Sequence, residues 1–467
     1  MSDVEKGNVK TRRVRKELKL RFQLDGVFTI AVCLIALILQ SVFGVWTVQK
    51  LLVVLMGPVL VMLFMFVLDA YSHFTSPLQE IRVCIGLSNL YAYAVMVLLN
   101  VLFLHSLTLL MVQTFTMMVE TVLMLILNTV MYRRFHNPDK YRNPSMLVLA
   151  SDGNESRLRR LKYGVLADFD AWYMVIDEKE GADRAKLNDL MKMLERFDAL
   201  CVFDNIHGEE YEELIRYAMT LDKEIYTVPR IIDVTVNRSR LTHFDDIPVV
   251  SMETYRLNWM QAFLKRGLDI VVASLALVIA ALPMAIIALL VRMDSPGPVL
   301  YRQERYTKDK KSFFIIKFRT MVENAEKLSG PVLAQKDDPR VTRVGKILRR
   351  FRLDELPQIF NILSGDMSLV GPRPERPFFV EQFEKEIPQY DYRFAVKAGL
   401  TALSHVYGRY STYILDRTYY DLRYIIDYSF LLDIKILLLT TKTLFIKNSA
   451  EGEDEFQVKR TTQQAMK

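Results

Sequence analysis

The chain has 467 residues, enough for two or three domains, with 51 % hydrophobic residues and a formal charge of +7. Composition alone sets it close to ordinary globular proteins. Its three cysteines, Cys33, Cys84 and Cys201, exclude a disulfide framework, and its six scattered histidines form no zinc-hydrolase pair.

Hydropathy along the chain is far from uniform. Four apolar stretches, residues 27–48, 51–70, 83–104 and 107–132, each match a hydrocarbon core about 30 Å thick. The basic run Lys10, Arg12, Arg13, Arg15, Lys16, Lys19 and Arg21 precedes the first, and Arg133 and Arg134 follow the fourth, so both ends are expected in the cytoplasm. Residues 1–24 read as a basic cytosolic segment and residues 25–135 as a four-helix transmembrane bundle. The first stretch is too long for a signal-peptide core and reads as an anchor. Because this flank and anionic lipid headgroups account for much of the positive charge, nucleic acid is not an expected partner. Glu120, inside the fourth stretch, is either functional, as ionisable groups in lipid are by default, or a carboxyl hydrogen-bonded to Asn89, Asn100 or Gln113.

From residue 144 to 252 short apolar runs alternate with amphipathic stretches, the pattern of a wound, Rossmann-like α/β domain. Strands are predicted at 146–150, 173–177, 201–204 and 225–229, and helices at 155–163, 184–197 and 209–221. The first turn, Ser151-Asp152-Gly153-Asn154, has one glycine where a dinucleotide fingerprint needs three. The domain is therefore read as structural or oligomerising, a route to a homodimer, with cofactor binding as the alternative.

A fifth apolar segment, residues 268–291, is interrupted by Pro283, which removes a helix hydrogen bond. Basic residues flank both its ends and continue through Arg302, Arg305, Lys308, Lys310, Lys311, Lys317 and Arg319. A bent, re-entrant helix that returns to the face it entered satisfies both facts. The compact α+β domain beyond it opens with a turn at Ser295-Pro296-Gly297-Pro298. A strand pair is predicted at 299–303 and 313–318 around a Lys308-Asp309-Lys310 tip. Residues 429–446 read as a helix lying on the membrane or packed in the core, and residues 448–467 as a disordered tail.

The sharpest local pattern is Arg349-Arg350-Phe351-Arg352-Leu353-Asp354-Glu355-Leu356-Pro357-Gln358. Proline suits a first helical turn, so Asp354 is expected at the N-cap or first position of a helix carrying Leu356, Ile359, Phe360 and Leu363. Taken alone, the two acids could be a cap and a first-turn charge. Arg340, Arg343, Lys346, Arg349, Arg350 and Arg352 crowd beside them, and this density suits an anionic substrate. Further on, Arg373 is held between Pro372 and Pro374, which cuts the entropy lost on gripping a ligand.

These motifs resemble those of the bacterial sugar transferases, the monotopic phosphoglycosyl transferases, over residues 265–447. The matching motifs are Asp294-Ser295-Pro296-Gly297-Pro298, Arg302-Gln303-Glu304-Arg305, Lys317-Phe318-Arg319-Thr320-Met321, Leu353-Asp354-Glu355-Leu356-Pro357-Gln358 and Gly365-Asp366-Met367-Ser368-Leu369-Val370-Gly371-Pro372-Arg373-Pro374. The resemblance implies a multi-pass protein of the bacterial cytoplasmic membrane with its catalytic domain, residues 262–447, on the cytosolic face. It implies transfer of a sugar-1-phosphate from a UDP-sugar to polyprenyl phosphate, releasing UMP and starting an exopolysaccharide, capsule or O-antigen unit. Asp354 would be the nucleophile and Glu355 a Mg²⁺ ligand, with Lys317, Arg319, Arg349 and Arg373 contacting phosphate or nucleotide and Asp421 a family acid in the same site. Membrane lipids and the pathway's downstream glycosyltransferases are the remaining implied partners. A catalytically inactive scaffold of polysaccharide assembly is the alternative. The chain departs from the family pattern at Thr307 to Lys311, which lacks glycine, at Phe351-Arg352, where Thr-Ser is usual, and at Ala398-Gly399-Leu400-Thr401-Ala402-Leu403-Ser404-His405, where Pro-Gly-Ile-Thr-Gly-x-Ala-Gln is usual.

Overall fold

The computed structural model describes residues 4–44, 47–71, 78–135, 145–151, 170–176, 184–203, 209–229, 240–244, 247–251, 256–322, 340–387, 389–408 and 414–445. The chain divides into two compact units, residues 1–229 and 230–467. The predicted helix 155–163, the turn after Ser151 and the tail 448–467 lie outside the described residues.

The first unit begins with α1 (Val4–Phe43), α2 (Val48–Val67), α3 (Leu78–Leu99), a π-turn at Asn100–Leu104 and α4 (Leu107–Phe135). All four helices contain windows long and apolar enough to cross a membrane, and they turn Ile30, Leu34, Leu52, Val59, Leu98, Phe115 and Val122 outward. An apolar exterior of this kind marks a membrane protein. The basic run and the first apolar stretch lie on one continuous helix, since α1 is helical from Val4. One expectation is corrected here. The first apolar stretch does not run to Val48: Thr47 takes an extended conformation, accepts a hydrogen bond from Lys50 N and caps α2.

The Glu120 carboxyl bonds Thr29 and none of the three partners expected for it. Asn100 exchanges hydrogen bonds with the Ser106 backbone, Ser106 N donating to Asn100 Oδ1 at 3.1 Å and Asn100 Nδ2 to Ser106 O at 2.9 Å. Asn89 Nδ2 donates to Ile85 O at 3.0 Å, and neither end of the Gln113 carboxamide is paired.

Beyond the helices, β1 (Ser145–Ser151), β2 (Asp170–Ile176), β3 (Ala199–Phe203) and β4 (Glu224–Thr227) form a parallel sheet in the order β2-β1-β3-β4. The run Met146-Leu147-Val148-Leu149-Ala150 is apolar at every position because both faces are covered. Leu147 and Leu149 join Leu200 and Val202 under α5 (Arg184–Leu194) and α6 (Glu209–Thr220), while Met146, Val148 and Ala150 pack on the opposite face with Ala199. Asp198 fixes the sheet's start, accepting from Ser145 N at 2.8 Å and Ser145 Oγ at 3.0 Å.

The second unit opens with the antiparallel hairpin β5 (Arg240–Phe244) and β6 (Ile247–Ser251), followed by α7 (Trp259–Asp294). The predicted interruption at Pro283 is not a break in the assigned helix, which starts earlier than expected behind an Asn258–Gln261 capping box and continues past the proline to Asp294. One lost hydrogen bond does not end a helix whose flanking turns are packed. Ala273, Ala280, Met284, Ile287 and Val291 recur on one face and belong to the unit's main core. The opposite face leaves Val271, Leu275, Val278, Ile279 and Leu282 exposed, and the helix is long and apolar enough to cross a membrane.

The remaining elements surround that core. They are β7 (Leu300–Tyr306), β8 (Ser312–Phe318), α8 (Arg343–Arg350), α9 (Gln358–Ser364), β9 (Ser368–Val370), α10 (Pro377–Glu386), β10 (Gly399–Thr401), α11 (Leu403–Tyr407), α12 (Ile414–Ile426) and α13 (Phe430–Phe445). β7 and β8 form the expected hairpin, in register from Leu300 opposite Phe318 to Tyr306 opposite Ser312. Asp433 of α13 meets Lys265 of α7 at 2.8 Å, and Ile436 and Leu439 are buried, so this helix docks a face on the core while Leu431, Leu444 and Phe445 stay exposed.

Candidate active site

Asp354 and Glu355 occupy a single 3₁₀ turn, Leu353–Glu355, that links α8 to α9. This corrects the expected helical position. The residue at the N-cap of α9 is Pro357, and successive i to i+3 bonds, from Leu356 N to Leu353 O and from Phe360 N to Pro357 O, keep the approach tightly wound. Arg352 enters the turn at φ 55°, a left-handed conformation that a non-glycine residue rarely takes. The reversal brings both acids back beside β8. Asp354 and Glu355 are each half-buried, so both remain within reach of solvent.

β8 supplies the first cation. Phe313 and Ile315 point into the core, and two residues on, in the same row, Lys317 Nζ donates to Glu355 Oε1 at 2.8 Å. The helix α9 is keyed to this strand through Asn361, which accepts from Ile316 N at 3.0 Å and donates to Phe314 O at 2.9 Å. Arg266 of α7 closes the other end of α9, donating to Ile362 O at 2.6 Å and Leu363 O at 2.8 Å.

Arg349 arrives from α8. That helix packs so closely that a Cβ on Gly345 would lie 2.2 Å from Thr320 O. One turn later Arg349 Nε donates to Thr320 Oγ1 at 2.8 Å. Arg319 is used differently. Its guanidinium grips Pro296 O at 2.6 Å and Ser295 O at 2.7 Å, so it is committed to the turn that follows α7.

Arg373 stands at the end of β9, where the backbone of Gly371 nearly touches that of Gly399. A Cβ at Gly399 would fall 2.1 Å from Gly371 N. Gly371 N donates to Thr401 O and Gly399 N to Pro372 O, both at 2.9 Å, and these bonds fix where the Pro372-Arg373-Pro374 segment begins. Arg393 Nη2 then donates to Arg373 O and to Asp421 Oδ2, each at 2.8 Å, while its other nitrogen donates to the Tyr390 hydroxyl. Asp421, 2 % exposed, thus reaches the Arg373 backbone through Arg393. Arg373 Nη1 lies 3.1 Å from His405 Nε2.

Electrostatics separate the paired acids. Burial raises the Asp354 pKa, the Glu355 charge adds to the rise, and Lys317 and Arg349 offset only part of it. Glu355 feels burial too, but Lys317 and Arg373 outweigh it and hold the carboxyl well below its ordinary range. His405 is held well below the usual histidine value by burial first and then by Arg373 and Arg352, so its imidazole is neutral. With Arg373 as the donor, Nε2 acts as an acceptor.

Lys317, Arg349, Arg373, Asp354 and Glu355 therefore converge on one turn, while Arg319 and Asp421 act on the backbone and the arginine that shape it. Sequence reading missed Arg393, Thr320 and His405 as members of the site. Thr320 stood within a matching motif and His405 in a stretch that departs from one, whereas Arg393 carried no visible mark. Among the described residues no three His, Cys, Asp or Glu side chains cluster as a protein-only metal site. The donor set fits Mg²⁺ all the same, since that ion takes one or two carboxylates and completes its shell with phosphates and water. Glu355, kept ionised, is the carboxylate suited to hold it.

Comparison with known proteins places this geometry in context. The family model for bacterial sugar transferases matches residues 260–447. The chain is 38 % identical over 255 residues to the UDP-N-acetylgalactosamine-undecaprenyl-phosphate N-acetylgalactosaminephosphotransferase of Aeromonas hydrophila, covering 53 % of this chain and 59 % of that protein. It is 38 % identical over 250 residues to the UDP-glucose:undecaprenyl-phosphate glucose-1-phosphate transferase of Escherichia coli K12, covering 52 % and 53 %. The chain thus spans little more than half the length of these two relatives. The chain is 38 % identical to the exopolysaccharide production protein PSS of Rhizobium leguminosarum over 189 residues, 39 % of this chain and 94 % of that protein.

Proposed function

Because the chain belongs to the bacterial sugar transferase family, we propose that it moves a sugar-1-phosphate from a UDP-sugar to a polyprenyl phosphate such as undecaprenyl phosphate, with release of UMP. The observation that carries this reading is one turn that holds two neighbouring carboxyls, with Lys317 Nζ 2.8 Å from Glu355 Oε1 and Asp354 left without that ion pair; the same arrangement holds Glu355 as an anion while burial raises the Asp354 pKa. The sugar is left open, since the relatives' names divide between N-acetylgalactosamine and glucose.

In the first step an oxygen of Asp354 attacks the donor's β-phosphorus. The bond from that phosphorus to the bridging oxygen breaks, and UMP leaves with the electron pair. The sugar phosphate is then held as an acyl phosphate on Asp354. In the second step an oxygen of the lipid phosphate attacks the same phosphorus, the bond to Asp354 breaks and the carboxylate is restored. The raised basicity of Asp354 favours attack, while Lys317, Arg349 and Arg373 hold the charge of the phosphates. Mg²⁺, held by Glu355 and the donor's phosphates, would neutralise the pyrophosphate as it is approached. Arg319, Arg393 and Asp421 keep the clamp in place without reaching the donor.

We read α7 as a re-entrant helix that holds this turn at the headgroup level on the cytosolic face of the bacterial cytoplasmic membrane. Its two ends are tied to one unit, Asp269 to β9 and Asp294 to α8. The sheet β1 to β4 is read as a Rossmann-like module, and the reaction as the first membrane step of exopolysaccharide, capsule or O-antigen synthesis. The test is a panel of UDP-sugars offered with polyprenyl phosphate to the purified chain in nanodiscs. UMP release that disappears in Asp354→Asn is the expected outcome. Release of UDP would indicate direct glycosyl transfer, and no release with any donor would leave a scaffold; either result sinks the proposal.

A further inference from the structure

The four-helix bundle of the first unit buries polar side chains that other described residues pair only in part. Asn89, Gln113 and Glu120 are 1 %, 3 % and 8 % exposed. Among the described residues Asn89 Oδ1, Glu120 Oε1 and both Gln113 carboxamide atoms find no hydrogen-bond partner. Inside an apolar bundle this is costly, because nothing there replaces the lost hydration.

These three residues line one cavity together with Thr29 and Thr116. Its free space, about 30 Å³ for the centre of a water-sized sphere, admits a small ion with about one water. The chemistry of the lining is one-sided. Thr116 donates its hydroxyl proton to Val112 O at 2.8 Å, and the Thr29 hydroxyl, 2.8 Å from Asp25 O, also bonds the Glu120 carboxyl, so what the two hydroxyls have left for another group is oxygen lone pairs. Asn89 spends its amide nitrogen on Ile85 O at 3.0 Å, which again leaves an oxygen. Apart from Gln113 Nε2, the unused capacity consists of oxygen acceptors, and none of the lining residues is basic.

We propose that this cavity is a binding site for one alkali-metal cation, with Glu120 supplying the charge and Asn89, Gln113, Thr29 and Thr116 supplying neutral oxygens. Hard cations take such oxygen ligands. One carboxylate balances one monovalent charge, and a divalent ion such as Mg²⁺, which keeps several waters, does not fit the space. A proton on Glu120 is the rival, but it satisfies one carboxyl oxygen and leaves the Asn89 and Gln113 oxygens unpaired. The site makes no use of the transferase chemistry and stands apart from that proposal.

The experiment uses the full chain in nanodiscs of neutral lipid. Na⁺ or K⁺ is titrated against N-methylglucamine at constant ionic strength while the thermal unfolding midpoint is followed. A saturable rise of several degrees is expected for the natural sequence, absent in Glu120→Gln and weakened in Thr116→Val, which keeps the side chain's shape. Equilibrium binding of radioactive Na⁺ should give one ion per chain and none in Glu120→Gln. Superimposed midpoints in all cations, or the same rise in natural and Glu120→Gln chains, would overturn the site. If Glu120→Gln does not fold, the decision rests on Thr116→Val and on the stoichiometry of ion binding to the natural chain, where zero refutes it.

Discussion

The two units treat buried polarity to different degrees. In the second unit Lys265 reaches Val370 O at 2.8 Å, the Tyr424 hydroxyl at 2.9 Å and Asp433 at 2.8 Å, and both terminal nitrogens of Arg393 are taken up by Asp421, Tyr390 and a carbonyl, its Nε alone lacking a partner among the described residues. In the bundle Gln40, Asn89, Gln113 and Glu120 are equally buried and keep atoms with no partner. A charged group held by several partners is fixed in one geometry even where one of its atoms is left over, whereas a carboxamide with neither end paired has room for something else to complete it. The contrast separates a site whose groups are fixed before substrate arrives from a region whose groups have yet to be engaged.

Substitution can break this contrast or sharpen it, and the largest effect is expected at the turn itself. Asp354→Asn should lower UMP release by roughly a thousandfold or more and remove any phosphosugar adduct seen by intact-protein mass spectrometry. The raised Asp354 pKa means that its ionisation opposes folding: the stabilising share is present below the ordinary value of 3.8 and is lost as pH rises through the folded value. The asparagine variant should therefore melt no lower than the natural chain at pH 7.5. A lower melting point would show that the turn needs the charge for its structure.

Next comes Arg393→Met, which leaves Asp421 buried without its cation. A loss of about 3–5 kcal/mol is expected, and the double variant with Asp421→Leu should recover part of it. Equal unfolding curves for the single and double variants would mean that the pair does not act as a unit. Lys317→Met should cut turnover by about 10²-fold and lift the Glu355 pKa. At present the depressed Glu355 value contributes stability above its ordinary 4.5 that disappears only as pH falls through the lower folded value. The acid limb of a stability profile in this variant should therefore move to higher pH.

At the small end, Gln113→Leu in N-methylglucamine buffer replaces an unpaired amide with a hydrocarbon of similar size. It should be neutral or stabilising by about 1 kcal/mol, unlike any truncation in the catalytic network. A marked destabilisation would mean that the carboxamide has a partner inside the bundle and would erase the contrast.

Much of this arrangement was legible in the sequence. The apolar runs of β1, β3 and β4, the β7–β8 hairpin and the paired acids all come from patterns within a few residues. The helix start was misplaced because a proline in the first turn fits a 3₁₀ approach as well as an α-helical one, and the choice is made by Arg352 adopting a left-handed conformation. The roles of Arg319 and Asp421 depend on partners 24 and 28 residues away, Ser295 and Arg393. No local periodicity marks such pairs, and a motif shows that a residue is needed without showing which neighbour needs it.

The attachment of α7 carries a mechanical consequence. Asp269 near one end accepts from Leu369 N at 2.8 Å on the strand that leads to Arg373, and Asp294 at the other accepts from Val344 N at 3.0 Å on the helix that bears Arg349. One lipid-facing rod is thereby anchored behind both arginines that flank the acids. Thinning or thickening the bilayer strains that rod, and the strain reaches the gap between the two guanidinium groups, so turnover should respond to acyl-chain length even when headgroup and substrate are held constant.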